Sequence, residues 1–370
     1  MSIRREVVYA AGIASFILSY IIHSPSLSNP IYSDIVSFWY REGWLTRLRI
    51  PYIEAPFEYP PLSGFLTFLA ASLGSNIISY YSIFSAIILV FYITMLEIVV
   101  RLCEERGIGL EYALILICLS PSMILYTVYN YDVIFASLLM LSLFLLLRRR
   151  LISSAIAFSA AALVKLINLI TLPFILMHVE GWRNRVKYAL ISLGIFAAVN
   201  LVLWALNPDF IDGTYLYHVR WGLENAWYLI FFPNSGSWDT AKLFGMLLMA
   251  YGLLKVYLHD SADLIQRTFM ALSVFLLTNY VFTPQMLLWL PPLLAVMGSL
   301  PIPYFFLDLA NAGIILLWFE THNPLAPGSP PQLLALLRAV LLFIILLETY
   351  FASRGVQIAE KIKRVAWHRV

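Results

Sequence analysis

Apolar stretches recur from residue 6 to residue 351, divided by short polar breaks and by two longer polar intervals at 24–59 and 207–238. Runs of this length with few charges read as membrane-crossing helices. The pattern predicts spans at 6–23, 78–100, 111–128, 131–147, 151–164, 166–178, 187–206, 239–257, 264–281, 285–299, 303–319 and 331–350, about twelve within a range of 10–13. The first has no small-residue cleavage site behind it and reads as a retained span. The piece at 60–73 opens on Pro60-Pro61 and stops at Gly74. As a helix it reaches roughly 21 Å, short of a roughly 30 Å hydrocarbon core. It is predicted to lie along the interface, inside a first external loop over 24–77. Segments 151–164 and 166–178 are short for a crossing and are interrupted by Lys165 and Asn168. A broken or tilted pair is expected there, with freed backbone groups facing protein or a cavity.

The fold class that follows is an all-α polytopic membrane protein, one integral domain over 1–370, with a second large external loop at 207–238 and a basic cytoplasmic tail at 351–370. Composition agrees: 61% of residues are hydrophobic, 12% are charged, and the mean hydropathy is +0.82. No soluble domain hides that much apolar surface. Trp39, Tyr40, Trp44, Tyr52, Tyr59, Trp221, Trp227 and Trp289 fall near segment ends, where interfacial anchors sit. Charge orients the chain. With the N-terminus inside, seventeen basic residues, among them Arg4, Arg5, Arg148, Arg149 and Arg150, face the cytoplasm, and five face outward. Such a bias puts both termini in the cytoplasm. Letting 60–73 cross would turn the triple arginine outward. Cys103 and Cys118 show neither disulfide nor metal spacing.

The external side is acidic, and its carboxylates are the first candidates for chemistry. Asp34, in NPIYSDIVSFWYREGW, is placed to accept a proton from an attacking hydroxyl or to orient it. The same residue also reads as an ordinary loop acid in an N-cap run. Glu58 and Tyr59 precede Pro60-Pro61, which hold Tyr59 extended and make the return of the loop rigid. A helix start with an aromatic anchor is the plainer account. Asn130 and Asp132, in YNYDVIFASLLML, mark the outer end of a span; Asp132 suits a first helical turn or a shared polar cavity. Lys165 at the helix break calls for an anionic partner, a lipid phosphate or Asp132, unless it snorkels to the interface.

In the second loop, His218, Arg220, Glu224 and Asn225 are mixed with aromatic residues in TYLYHVRWGLENAWYLIFF. That mixture suits a carbohydrate or phosphosugar site, and equally an interfacial helix. Gln285 lies near the outer end of a late span, ahead of Trp289 and Pro291-Pro292. Arg338 sits about eight residues into the last span and should face a counter-charge, from a lipid phosphate or from the bundle's own acids. There is no GxxxxGK[ST] or GxGxxG run, which argues against an ATP or sugar-nucleotide donor and favours a lipid-borne one; no nucleic-acid partner is expected.

The runs SDIVSFWY, FEYPPLS, YNYDVIFASLLML, ALVKLINLITLPF, TYLYHVRWGLENAWYLIFF and FTPQMLLWLPP together resemble the membrane-embedded C-type glycosyltransferases that use polyprenyl-phosphate sugars. The resemblance is strongest to the glycosylphosphatidylinositol mannosyltransferase I catalytic-subunit family and its prokaryotic, family-87-like relatives. It implies that Asp34 holds the essential acidic position of the first loop, that Lys165 belongs to the short-helix lysine motif, and that His218, Arg220 and Asn225 belong to the second-loop run. It also implies a polyprenyl- or dolichyl-phosphate sugar donor, mannose first, and a lipid or lipid-linked acceptor. Transfer is then expected on the outer face of a plasma membrane or the lumenal face of the endoplasmic reticulum. No soluble cofactor is required; a divalent cation, Mg or Mn, bridging Asp34 and the phosphate stays open, as does a small membrane partner subunit. The chain departs from the pattern where Ser33 and Ile35 flank a single Asp34 in place of a paired acidic motif, and at Asp132.

Two other classes are weighed. A transporter or flippase would also suit twelve spans, a broken helix pair and buried Lys165 and Arg338. Its internal repeats are missing from the pattern: the loops at 24–59 and 207–238 differ, and 60–73 has no counterpart. A noncatalytic assembly subunit would leave the acidic outer face without a role.

Overall fold

A computed structural model describes residues 3–355; most of the basic tail expected at 351–370, including Lys361, Lys363, Arg364 and Arg369, lies outside them. The described chain is helical, and extended pairing is confined to isolated bridges, Pro51 with Ala55 and Glu224 with Val281. By length and apolar composition four helices suffice to cross a membrane: Arg5–Ile22, Ile77–Glu105, Trp182–Leu206 and Pro330–Ala352. Shorter apolar helices occupy most of the other predicted spans, among them Asp132–Leu147, Leu151–Val164, Leu264–Thr278 and Ile302–Trp318. The chain is an integral membrane protein.

Two predicted spans are not single helices. Residues 111–128 form a helical turn at Glu111–Ala113, a wide turn at Leu114–Cys118, a break, and a new helix at Pro121–Tyr126. Pro121 has no N–H to continue the first ladder, and Ser120 caps the second by accepting from Met123 N. The same logic breaks 285–299 into a tight turn at Pro284–Trp289 and a helix at Pro291–Met297. At Lys165 the interruption falls where expected. Leu151–Val164 stops, the backbone turns extended, and a 3-10 run at Leu166–Thr171 leads into Leu172–His178. Asn168 Nδ2 donates to Phe158 O at 2.9 Å, tying the turn after the break back onto the preceding helix.

The chain divides into two compact units, residues 1–221 with 284–299, and 222–283 with 300–370. In the first, Asp132–Leu147 is apolar on every face and buried on nearly every face, as the central helix of a bundle should be. It packs against Ile77–Glu105 and Leu151–Val164. Its Ser142 joins Ser154 and Tyr188, from two neighbouring helices, in a buried hydroxyl cluster. In the second unit, Ile302–Trp318 packs along Pro330–Ala352, and Trp238–Tyr257 along Leu264–Thr278.

Pro61–Leu73, the predicted interfacial helix, lays a face of Ser63, Gly64, Thr67, Ala70 and Ala71 on Ile77–Glu105 and Leu151–Val164. Phe65, Leu69 and Leu73 stay exposed on the other side. The small residues allow close approach, and at Gly64 the approach is closest. A β-carbon there would overlap the phenol of Tyr52. The Tyr52 hydroxyl instead accepts from Gly64 N at 2.9 Å and lies 2.8 Å from the carbonyls of Tyr59 and Pro60. Tyr52 itself is buried with a φ of 69°, a backbone conformation costly for a non-glycine residue. Its hydrogen bonds hold that turn and the strap 52–60 that follows.

Candidate active site

Asp34 opens the helix Asp34–Arg41. Ser33 is the N-cap, its hydroxyl accepting from Val36 N at 3.4 Å, so the N-cap run reads as it should. Ile35 N, one of the helix's free donors, reaches Tyr129 O at 3.1 Å and ties the first loop to the turn before Asp132. Asp34 Oδ1 accepts from the Tyr32 hydroxyl at 3.0 Å, and Oδ2 accepts from Asn130 Nδ2 at 2.6 Å. Burial pushes this carboxyl up to about 7; the Tyr32 hydrogen bond, Arg41 and Lys165 oppose that rise, and Glu58 adds to it. A carboxylate poised there can take a proton at neutral pH.

Asn130 also donates to the Tyr59 hydroxyl at 3.0 Å. Tyr59 is deeply enclosed, and burial, then the charges of Asp34 and Glu58, raise its phenol well above the ordinary tyrosine value, so it stays neutral. The Lys165 ammonium lies 5.4 Å from the Tyr59 ring centre and 5.8 Å from that of Trp289. Lys165 Nζ is 3.0 Å from Asp132 Oδ1, and the same oxygen accepts from Trp289 Nε1 at 2.8 Å. Asp132 Oδ2 is buried without a hydrogen-bond partner. Asp132 thus serves as the lysine's counter-ion, one of the two partners its position suggested, and it is fully buried at the first turn of its helix.

Glu58 pairs with Arg41 at 2.6 Å, and Arg41 lies 5.1 Å over Phe38. The two polar loops of the sequence meet here within the first unit. Thr214 Oγ1 donates to Phe57 O at 2.9 Å, Asn207 Nδ2 donates to Tyr52 O at 2.9 Å, and the His218 ring stands 5.7 Å from that of Tyr59. Burial holds His218 below its ordinary value, with Glu58 opposing, so its imidazole is neutral at neutral pH.

Asp34, Glu58, Tyr59, Asp132, Lys165 and His218 therefore gather in one place. Arg220 does not join their contacts; it is exposed and pairs with Asp212 at 2.5 Å. Gln285 is buried in the tight turn at Pro284–Trp289, its Oε1 without a hydrogen bond. Glu224, Asn225 and Arg338 belong to the second unit. There Arg338 is fully buried: Nη1 donates to Asn311 Oδ1 at 2.7 Å, Nη2 donates to Asn225 O at 3.0 Å and to Phe282 O, and the guanidinium lies 3.6 Å from the Phe282 ring centre. Glu224 exchanges backbone bonds with Tyr280 and Phe282. Asn225, at φ 51°, is held by Arg338 through its carbonyl, while its Oδ1 lies 3.4 Å from Gln332 Nε2.

Asn130 and Tyr52 were not singled out as site residues from the sequence. Asn130 carries a signal in its place two residues before Asp132; Tyr52 reads as an interfacial anchor near a segment end, whereas it is buried and holds the strap that bears Glu58 and Tyr59. Among the described residues, no group of three or more His, Cys, Asp and Glu side chains is arranged to hold a metal ion.

A family model described as "Alpha-(1->6)-mannopyranosyltransferase, N-terminal domain" matches residues 31–181, the stretch that carries Asp34, Glu58, Tyr59, Asn130, Asp132 and Lys165. The fold is similar to the crystal structure of ArnT from Cupriavidus metallidurans in the apo state, over 95% of this chain and 77% of that one, with a TM-score of 0.50 and 12% identity. Over residues 31–181 the chain is thus similar to the alpha-(1->6)-mannopyranosyltransferase N-terminal domain, and over most of its length it shares the fold of ArnT.

Proposed function

We propose that this chain transfers a mannosyl group from a polyprenyl-phosphate donor to a hydroxyl of a lipid or lipid-linked acceptor. The observation that carries the reading is the line Asp34, Asn130, Tyr59, Lys165, which sets a neutral-range base and a buried ammonium at two ends of one polar site. The donor's sugar lies between them, its phosphate towards Lys165. Asp34 takes the proton of the acceptor hydroxyl as that oxygen attacks the anomeric carbon. The bond from that carbon to the phosphate oxygen breaks, and the leaving phosphate keeps the electron pair beside the lysine. Glu58, held by Arg41, and the neutral ring of His218 offer acceptor and donor groups to sugar hydroxyls. Trp289 keeps Asp132 oriented, so the lysine stays in place before the phosphate arrives.

The test is turnover of polyprenyl-phosphate mannose with candidate lipid acceptors by purified protein and by Asp34→Asn. Loss of product by about 10²–10⁴-fold, with unchanged helicity, is expected for removal of a general base. Equal turnover in the variant removes Asp34 from the reaction. The positive-inside bias supports an outward-facing site. Cysteines introduced at positions 34 and 218 should then both react with a membrane-impermeant thiol reagent added outside intact cells; reaction only from the cytoplasmic side reverses the orientation.

A further inference from the structure

A cavity in the second unit has no part in this chemistry. It holds about 640 Å³ between Trp238–Tyr257, Leu264–Thr278 and Pro330–Ala352, a volume typical of sites that take one small molecule. The walls are almost wholly apolar, with Val274, Ala339 and Phe343 among them, and Gly252 lets its helix come close to Val274. Trp227 stands at one end. Lys255 and Tyr350 stand at the other, and among the described residues no carboxylate lines the space.

That second end is cationic. Lys255 is in the last turn of its helix, 5.3 Å from the Tyr251 ring centre. Arg354 lies 4.8 Å over Tyr350, and the His259 ring packs on that tyrosine at 4.5 Å. Arg267 Nη2 donates to His259 O at 2.8 Å. The neighbouring acids are exposed Asp260, Asp263, which caps Leu264–Thr278, and Glu348 on the Tyr350 helix. A long apolar slot that ends in a lysine at the ends of membrane helices has the polarity of an amphiphile with an anionic head. A further helix, about 10 Å across and long enough to cross a bilayer, needs far more room.

We propose that this slot seats one acyl chain of an anionic phospholipid, laid along Val274 and Ala339, with the lipid's phosphate at Lys255 and its second chain outside among the bilayer lipids. The head then lies at the far end of these helices from the Trp227 turn. The lipid serves as a bound structural component that fills the space between three helices.

The experiment uses the full chain reconstituted in phosphatidylcholine nanodiscs with and without phosphatidylglycerol, then extracted in mild detergent and weighed by native mass spectrometry. One phosphatidylglycerol is expected to stay bound. Lys255→Gln should lower its occupancy about fivefold, the worth of one lysine near an anionic surface. Lys255→Arg should keep it, and Leu347→Trp, which fills the slot without touching charge, should expel it. The proposal is overturned if phosphatidylcholine is retained equally well, or if Lys255→Gln has no effect. It is also overturned if added polyprenyl phosphate replaces the phospholipid mole for mole, or if a photo-crosslinker at position 340 captures a polypeptide in place of lipid.

Discussion

Two buried cations, one in each unit, are built for different ends. Arg338 donates to Asn311, to the carbonyls of Asn225 and Phe282, and lies flat on a ring, so its hydrogen bonds fasten backbone to backbone. Lys165 rests on one oxygen of Asp132, whose other oxygen has no partner, and on the faces of two aromatic rings. A guanidinium whose two terminal nitrogens are engaged by fixed acceptors holds a turn in place. An ammonium with one carboxylate and soft aromatic walls keeps capacity for an incoming anion. Burial alone does not tell function from architecture; the partners do.

Lys165→Met should break the comparison most sharply. It removes the charge proposed to meet the leaving phosphate, so turnover is expected to fall about 10²–10³-fold, the scale of losing one such donor. It also leaves Asp132 buried and bare, a loss of about 3–5 kcal/mol seen in thermal or denaturant unfolding. Lys165→Met with Asp132→Asn should recover most of that stability and none of the turnover. Recovery of both would make the pair purely structural.

Arg338→Met comes next. Two carbonyls and the Asn311 oxygen lose their donor, each worth about 1–3 kcal/mol, so the melting temperature should drop as far as for Lys165→Met. Turnover per folded molecule should fall far less. A larger loss of turnover than in Lys165→Met would return Arg338 to the substrate-binding role its depth in the last span suggested.

The smallest effect concerns pH. Asp34 is raised by burial to about 7, so the folded chain holds its proton where the unfolded chain has released it. Between the ordinary carboxylate value and about 7 the folded state binds more protons, and stability falls as pH rises through that window, levelling above it. The activity that needs the carboxylate rises over the upper part of the same window. Asp34→Asn should therefore be inactive throughout and more stable than the parent at pH 8, with the advantage fading by pH 4. An advantage that does not change with pH would place the strain elsewhere.

Much of this was legible in the sequence because membrane helices announce themselves by apolar length. The bounds Arg5–Ile22, Asp132–Leu147 and Pro330–Ala352 fall within a few residues of the predicted spans. The break at Lys165 was readable because a charge interrupts two runs too short to cross. The break inside 111–128 was not anticipated, although Ser120-Pro121 marks it, because the apolar run continues straight through the proline. The meeting of Asp34 with Lys165 rests on Asn130 and Tyr59, and a side-chain amide that serves two segments nearly a hundred residues apart leaves no periodic trace. Arg338 stands out by depth in its span, while two of the three acceptors that define its task are backbone carbonyls, which no residue type reveals.

The bare α-carbon at Gly64 ties an apolar helix to a reaction it never touches. Adding one methyl group there would evict a phenol, and with it the anchor for Glu58 and Tyr59. Such a lesion would resemble a damaged catalyst in assays while its address in the chain suggested only a lipid-facing helix. Inherited or engineered changes along Pro61–Leu73 should accordingly be judged by which side of the helix they occupy: tolerance at Phe65, Leu69 and Leu73, silence of the enzyme at 64.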